Sequence, residues 1–192
     1  MSIETDSGLL VVDMQNCFLP GGSLAVAEGD EVIPVINRYA ALFAEEGRPV
    51  FASRDWHPQE TIHFQKWPVH CVQETEGAEF HPDLHLPPDV TVVSKGMDPQ
   101  QDAYSAFQAI DERGRLLGDV LRERGVRRLY VCGLALDYCV RYSALDAVRA
   151  GMEVTLLVDA TRAVNVELHD AEKAIEDLVR AGVRLATVEM VR

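Results

Sequence analysis

The chain has 192 residues, of which 47% are hydrophobic and 26% charged, a balance that suits one globular domain with a substantial core. Its formal net charge of -13 repels phosphate backbones and anionic bilayers, so the expectation is no nucleic acid and no membrane among its partners. No apolar run reaches the roughly 18 residues of a membrane span, and the polar, acidic stretch from Met1 to Ser7 lacks the basic start and apolar centre of a secretory signal, so a cytoplasmic protein is expected.

In chain order, Leu9 to Val12 is an apolar run predicted as a buried strand. Val32 to Glu46 predicts a helix with Val32, Val35, Ile36, Tyr39, Leu42 and Phe43 on one face, stopped by Gly47. Val50 to Ser53 and Val90 to Ser94 predict the second and third strands. Arg115 to Arg124 predicts a helix ended by Gly125, and Arg128 to Cys132 the fourth strand. Cys139 to Ala150 predicts a helix ended by Gly151, Val154 to Val158 the fifth strand, Glu167 to Ala181 a helix ended by Gly182, and Arg184 to Val188 the last strand. Strands that alternate with helices and are apolar throughout predict an open, mainly parallel six-stranded sheet with helices on both faces, a Rossmann-like α/β fold. One domain spanning 1–192 is expected. Within it, about 55–89 forms an irregular excursion carrying Pro58, Pro68, Pro82, Pro87 and Pro88. Long irregular excursions in compact domains are often functional.

In such sheets ligands bind beyond the carboxyl ends of the strands. Asp13 follows the first strand, Asp55 the second, Lys95 the third, and Cys139 lies just past the fourth at a helix start. A helix N-terminus favours a thiolate, so Cys139 is a candidate nucleophile; the plainer alternative is a small buried residue packing helix to sheet. Asp13 could take the thiol proton if burial raises its pKa. Lys95, freed to point over the sheet edge by the turn at Gly96, could hold both groups and offset developing negative charge.

Asp55, His57, His63 and His70 fall within the irregular segment. Asp55 and His57, two apart in extended chain, point the same way and can share an ion. One carboxylate and three imidazoles suit one divalent metal ion, zinc first, with iron(II) or manganese(II) as alternatives; the alternative is solvated loop histidines. His81, His85 and His169 are read as solvated. The cysteines Cys17, Cys71, Cys132 and Cys139 show neither a C-x-x-C pair nor the spacing of a disulfide scaffold, so most are expected as free thiols.

Over nearly its whole length the sequence resembles the nicotinamidase/pyrazinamidase branch of the isochorismatase-like hydrolases. The matching strings include Val12-Asp13-Met14-Gln15-Asn16, Pro20-Gly21-Gly22-Ser23-Leu24, Asp55-Trp56-His57-Pro58, Trp67-Pro68-Val69-His70-Cys71, Lys95-Gly96, Tyr104-Ser105 and Asp137-Tyr138-Cys139-Val140. The resemblance implies a small-molecule amide substrate, nicotinamide, and a triad of Asp13, Lys95 and Cys139. It implies metal ligation by Asp55, His57 and His70, and an oxyanion hole from the N–H groups of Ala135 and Cys139 with a cis peptide before Ala135. Phe18, Trp67 and Tyr104 match aromatic positions of the substrate pocket. Many relatives carry His at the position of Thr61 and Ser at that of His63. A second type within the branch places a His-Phe pair, here His63-Phe64, at this distance from the metal aspartate, and there the histidine is a fourth protein ligand. Cys17, Ala106 and Leu136 depart from residues common in the family. The shorter loop between His57 and Trp67 could open the pocket. An amidase for carbamoyl or ureido groups, or a non-catalytic binding module on the same fold, remain the alternatives. Oligomeric state is left open, a homo-oligomer included.

Overall fold

The computed structural model describes residues 3–191. Six parallel strands, β1 (Ser7–Val12), β2 (Val50–Asp55), β3 (Thr91–Lys95), β4 (Arg128–Leu134), β5 (Glu153–Arg162) and β6 (Arg184–Ala186), form one sheet in the order β3-β2-β1-β4-β5-β6. The strand order reverses between β1 and β4, which makes the gap beyond their carboxyl ends the natural binding crevice.

Side chains alternate along each strand, so each strand feeds two cores. On one face Leu9, Val11, Tyr130 and Cys132 pack with Ile36, Tyr39 and Phe43 of α1 (Ile33–Glu45). On the other, Leu10, Val12, Phe51 and Val131 meet Leu117 and Leu121 of α2 (Leu117–Glu123), Ala144 and Ala147 of α3 (Arg141–Arg149), and Leu178 of α4 (Asp170–Arg180). Helices therefore cover both faces, as a fully buried parallel sheet requires.

The element ends shift from the sequence expectation for local reasons. α2 starts at Leu117 rather than Arg115, because Asp111 captures the Arg115 backbone N–H at 2.9 Å and Leu116 is extended. α4 starts at Asp170 rather than Glu167, because His169 is left-handed (φ 71) and cannot be a helical residue. β5 runs on to Arg162, past the expected Val158, after a register shift opposite Val131 and Gly133. β6 stops at Ala186 because the Val188 N–H donates to the Asp159 carboxylate at 2.8 Å instead of extending a ladder. The helix expected from Cys139 begins earlier, as a π turn over Leu136–Val140 that runs into α3.

The irregular character of the 55–89 stretch is observed: it holds only short 3-10 turns, at Ile62–Gln65 and Glu76–Ala78. Cys132 and Cys139 are free and buried, but Cys17 and Cys71 are joined in a disulfide with Cα atoms 5.8 Å apart. The expectation of mostly free thiols is corrected there. The two sulfurs lie 54 residues apart and meet only because the Asn16–Phe18 turn folds against the 55–89 excursion.

Candidate active site

At the end of β1 the chain turns through Asp13, whose φ is 50. Its side chain is fully buried, accepts from Ser53 Oγ at 2.7 Å, and lies 2.9 Å from Lys95 Nζ. Lys95 ends β3 directly in register with Asp55, which ends β2. Its ammonium donates to Asp55 Oδ1 and, at 3.5 Å, to Cys139 Sγ. An oxygen of Asp13, an oxygen of Asp55 and the Cys139 sulfur all lie within 4.8 Å of one another. The residues expected after four different strands thus meet around one ammonium that is only 1% exposed.

Cys139 is carried to this point by the end of β4. Gly133 has φ 106, and a Cβ there would collide with the Val12 backbone, so only glycine lets β4 run this close to β1. The next peptide but one, Leu134-Ala135, is cis, as the resemblance implies, and the π turn follows. Asp137 is buried in that turn and accepts the N–H groups of Val164 and Asn165 at 2.9 and 2.8 Å, which pins the loop after β5 beside the site.

Burial dominates the charge states. It pushes the Asp13 carboxyl above its ordinary value, with Asp55 adding to the effect and Lys95 opposing it. Burial also pushes the Cys139 thiol well up, helped by Asp13 and Asp55 against the pull of Lys95. The expectation that the helix start depresses the thiol pKa is corrected: a dipole effect of a unit or less cannot offset desolvation flanked by two carboxylates. For Asp55 burial pulls upward, yet the neighbouring Lys95 ammonium and His57 ring outweigh it and hold the carboxyl low. Burial acts against Lys95 too, but Asp13, Asp55 and Cys139 hold its ammonium well above the usual range.

On the other side of Asp55 stand His57, His63 and His70, each buried. Nitrogens from the three rings lie within 4.8 Å of one another. Asp55 Oδ2 is 3.8 Å from His57 Nε2 and 3.9 Å from His70 Nε2. Two donors each bonded to one ion at about 2.1 Å can be at most about 4.2 Å apart, so these separations suit a shared metal. Each Nδ1 already has a partner: Gly96 O at 3.0 Å for His57, Asp102 Oδ1 at 2.6 Å for His63, and Pro68 O at 2.7 Å for His70. That leaves the Nε2 lone pairs as metal donors, and His57 Nε2 is buried with no hydrogen-bond partner. An orphaned buried nitrogen of this kind needs a ligand. Burial lowers the pKa of His63, and takes that of His70 down to about 4, so both rings are neutral and able to ligate near pH 7. The donor set fits a divalent metal.

A cavity opens onto both groups. Phe18, Trp67 and Tyr104, expected to line it, do so, together with Ala135 of the expected oxyanion turn and with Asp55, His63, His70 and Cys139. Trp67 Nε1 donates to Tyr104 Oη at 3.0 Å, and Trp67 meets the Tyr138 ring edge-on at 4.9 Å. Leu24, Val26, Tyr138 and Val164 also line the cavity and were not anticipated, since single apolar residues in loops carry no pattern. Gln15 was missed as well. Its buried amide donates to Asp55 O at 2.7 Å and accepts from Asp55 N at 2.8 Å, bracing that residue's backbone. The signal for it was its place two residues after Asp13 in the Val12-Asp13-Met14-Gln15-Asn16 string. His81 is only half-buried, and His85 and His169 are exposed, as expected.

The isochorismatase domain model matches residues 7–190. The chain belongs to the isochorismatase family. It is 39% identical to the nicotinamidase of Escherichia coli (strain K12), over 94% of each chain. Among solved structures, pyrazinamidase of Pyrococcus horikoshii in complex with zinc is 44% identical, with a TM-score of 0.87 over 95% of this chain and 99% of that one. PnC1 from L. infantum in complex with nicotinate is 35% identical, with a TM-score of 0.88 over 100% of this chain and 98% of the other. Within the isochorismatase family the chain falls in the nicotinamidase/pyrazinamidase branch.

Proposed function

We propose that this chain is a metal-dependent cysteine amidohydrolase that converts nicotinamide to nicotinate and ammonia, and that also accepts pyrazinamide. The observation that carries the reading is the meeting, in one cavity, of Cys139, Lys95 and Asp13 with three buried histidines across a shared Asp55. A carbamoyl or ureido group offers no ring nitrogen to an ion on the histidine cluster, which disfavours that alternative.

In this reading Asp13 accepts the thiol proton as Cys139 attacks the amide carbon, because a thiol held up by burial ionises only as the new bond forms. The resulting oxyanion is received by the N–H groups of Ala135 and Cys139 at the turn after β4. Asp13 returns the proton to the departing ammonia, and a thioester to Cys139 remains. Asp13 next takes a proton from water, which attacks the thioester; the C–S bond breaks, nicotinate leaves, and Asp13 returns its proton to the Cys139 thiolate. Lys95 stays protonated throughout and offsets the charge that moves between Asp13 and Cys139. Phe18 and Trp67 hold the ring faces, with Tyr104 fixing the Trp67 indole. Asp55, His57, His63 and His70 would hold one divalent ion, zinc first, which supplies a Lewis acid for the pyridine nitrogen. The sequence 1–192 acts in this reading as a single cytoplasmic domain; among the described residues no helix is long and apolar enough to cross a membrane.

Ammonia release from nicotinamide by the purified protein, with metal analysis of the same sample, tests the reading. Turnover with about one equivalent of divalent metal is expected. Metal-bearing, folded protein without nicotinamide turnover would overturn it.

A further inference from the structure

The three histidines of the cluster are held in different ways. His57 and His70 are oriented by main-chain carbonyls, Gly96 O and Pro68 O. His63 is oriented by a side chain: its Nδ1 lies 2.6 Å from Asp102 Oδ1, across 39 residues of sequence. The other Asp102 oxygen pairs with Lys66, whose side chain is 64% exposed. Asp102 belongs to a segment that grips the His63 turn on both sides: the Ile62 N–H donates to Pro99 O at 3.0 Å and Trp67 donates to Tyr104 at 3.0 Å. Of these contacts only the one from Asp102 reaches a candidate ligand.

We propose that Asp102 is a positioning residue for the metal centre, fixing the His63 tautomer so that Nε2 faces the ion and strengthening that nitrogen as a donor. The inference rests on the metal-site reading above. A carboxylate behind a ligating imidazole locks the proton on Nδ1 and raises the basicity of Nε2, and removing such a partner typically weakens metal binding 10–100-fold. Behind His57 and His70 stand neutral main-chain carbonyls, which carry no full charge to the imidazole. Among the described residues Asp102 is the one side chain hydrogen-bonded to an Nδ1 of the three imidazoles. It lies too far out to touch substrate chemistry: it is absent from the cavity lining.

The test is zinc affinity, by competition with a chromophoric chelator, for the unaltered protein and for Asp102→Ala, Asp102→Asn and Lys66→Ala. Asp102→Ala should weaken zinc binding about 10–100-fold. Asp102→Asn, which keeps an acceptor for the Nδ1 proton, should recover part of the loss. Lys66→Ala, which removes the ion pair but leaves the bond to His63, should stay within about twofold of the parent. In cobalt(II)-loaded protein the ligand-field bands of Asp102→Ala should move toward those of His63→Ala, and those of Asp102→Asn should remain near the parent's. Unchanged zinc affinity in Asp102→Ala, or an equal loss in Lys66→Ala, would overturn the proposal, the second by making Asp102 a loop anchor only. Failure of the metal reading itself looks different: the unaltered protein binds no zinc, or His57→Ala binds it as tightly as the parent.

Discussion

Lys95 and Asp55 face each other in register at the ends of β3 and β2, and their ion pair joins the thiol half of the site to the histidine half. Asp55 turns Oδ1 to the ammonium and Oδ2 to His57 and His70. One carboxylate thus serves two tasks. Removing Lys95 would leave Asp13 and Asp55 as neighbouring buried carboxylates without a counter-charge. Breaking a buried pair by deleting one partner typically costs about 3–5 kcal/mol. Lys95→Met is therefore expected to lower the thermal midpoint and abolish turnover together. Asp55→Asn is expected to reduce metal affinity, with the ammonium still held by Asp13. Differential scanning calorimetry and metal titration on the two variants separate these effects; a Lys95→Met protein as stable as the parent would refute the buried-charge argument.

Cys139→Ala should leave a folded protein, since the side chain is small and the π turn is held by backbone and by Asp137. Loss of the nucleophile should lower kcat by at least about 10³-fold. Alkylation should reach Cys139, which lines the cavity, before Cys132, which is wholly buried and whose thiol burial pushes far up. Peptide mapping of a partly inactivated sample shows the order. Modification at Cys132 with full activity loss and an untouched Cys139 would contradict the assignment.

The pH profile follows from the direction of the Asp13 shift. In the proposed mechanism Asp13 must be ionised to accept the thiol proton, and burial raises its pKa above the ordinary 3.8. The acid limb of kcat/KM is therefore expected above pH 3.8, with activity lost as pH falls through the raised value. Ser53 donates to Asp13 and so favours its ionised form. Ser53→Ala should move the acid limb to higher pH, while a limb that shifts down or stays fixed would remove Asp13 as the titrating base.

The strand ends were legible because apolar runs, glycine stops and the parallel-sheet rule are local. They place Asp13, Asp55, Lys95 and Cys139 on one edge without any tertiary information. His57, His63 and His70 were legible as a cluster because they share one irregular segment. What stayed hidden depends on loops closing over that edge: the Cys17–Cys71 bond, the Asp102 contact to His63, and the Asp137 clasp on the 164–165 loop. The thiol pKa was misjudged because the sequence shows a helix start but not the depth at which it sits or the carboxylates around it. The π turn was invisible for the same reason; residues 136–138 read as the approach to an ordinary helix that starts at Cys139.

Substrate choice gives the sharpest contrast between the two halves of the site. Nicotinamide, pyrazinamide and benzamide each offer an aromatic carboxamide to Cys139, and Phe18 and Trp67 can hold any of the three rings. Benzamide lacks a ring nitrogen for the ion that Asp55, His57, His63 and His70 would carry. A site built to engage a polar substrate atom rejects an analogue without it far more strongly than an apolar pocket rejects a missing methylene. Nicotinamide and pyrazinamide should therefore be turned over comparably, and benzamide at a kcat/KM lower by at least about 100-fold. Stripping the metal with a chelator should cost nicotinamide most of its advantage and leave the slow benzamide rate nearly unchanged, because only the first depends on the ion for orientation. Measuring ammonia release for the three amides before and after chelation, with metal restored as the control, reads both effects in one series. If benzamide matched nicotinamide in the metal-loaded protein, ring-nitrogen recognition would fall, while the roles of Cys139, Lys95 and Asp13 would stand.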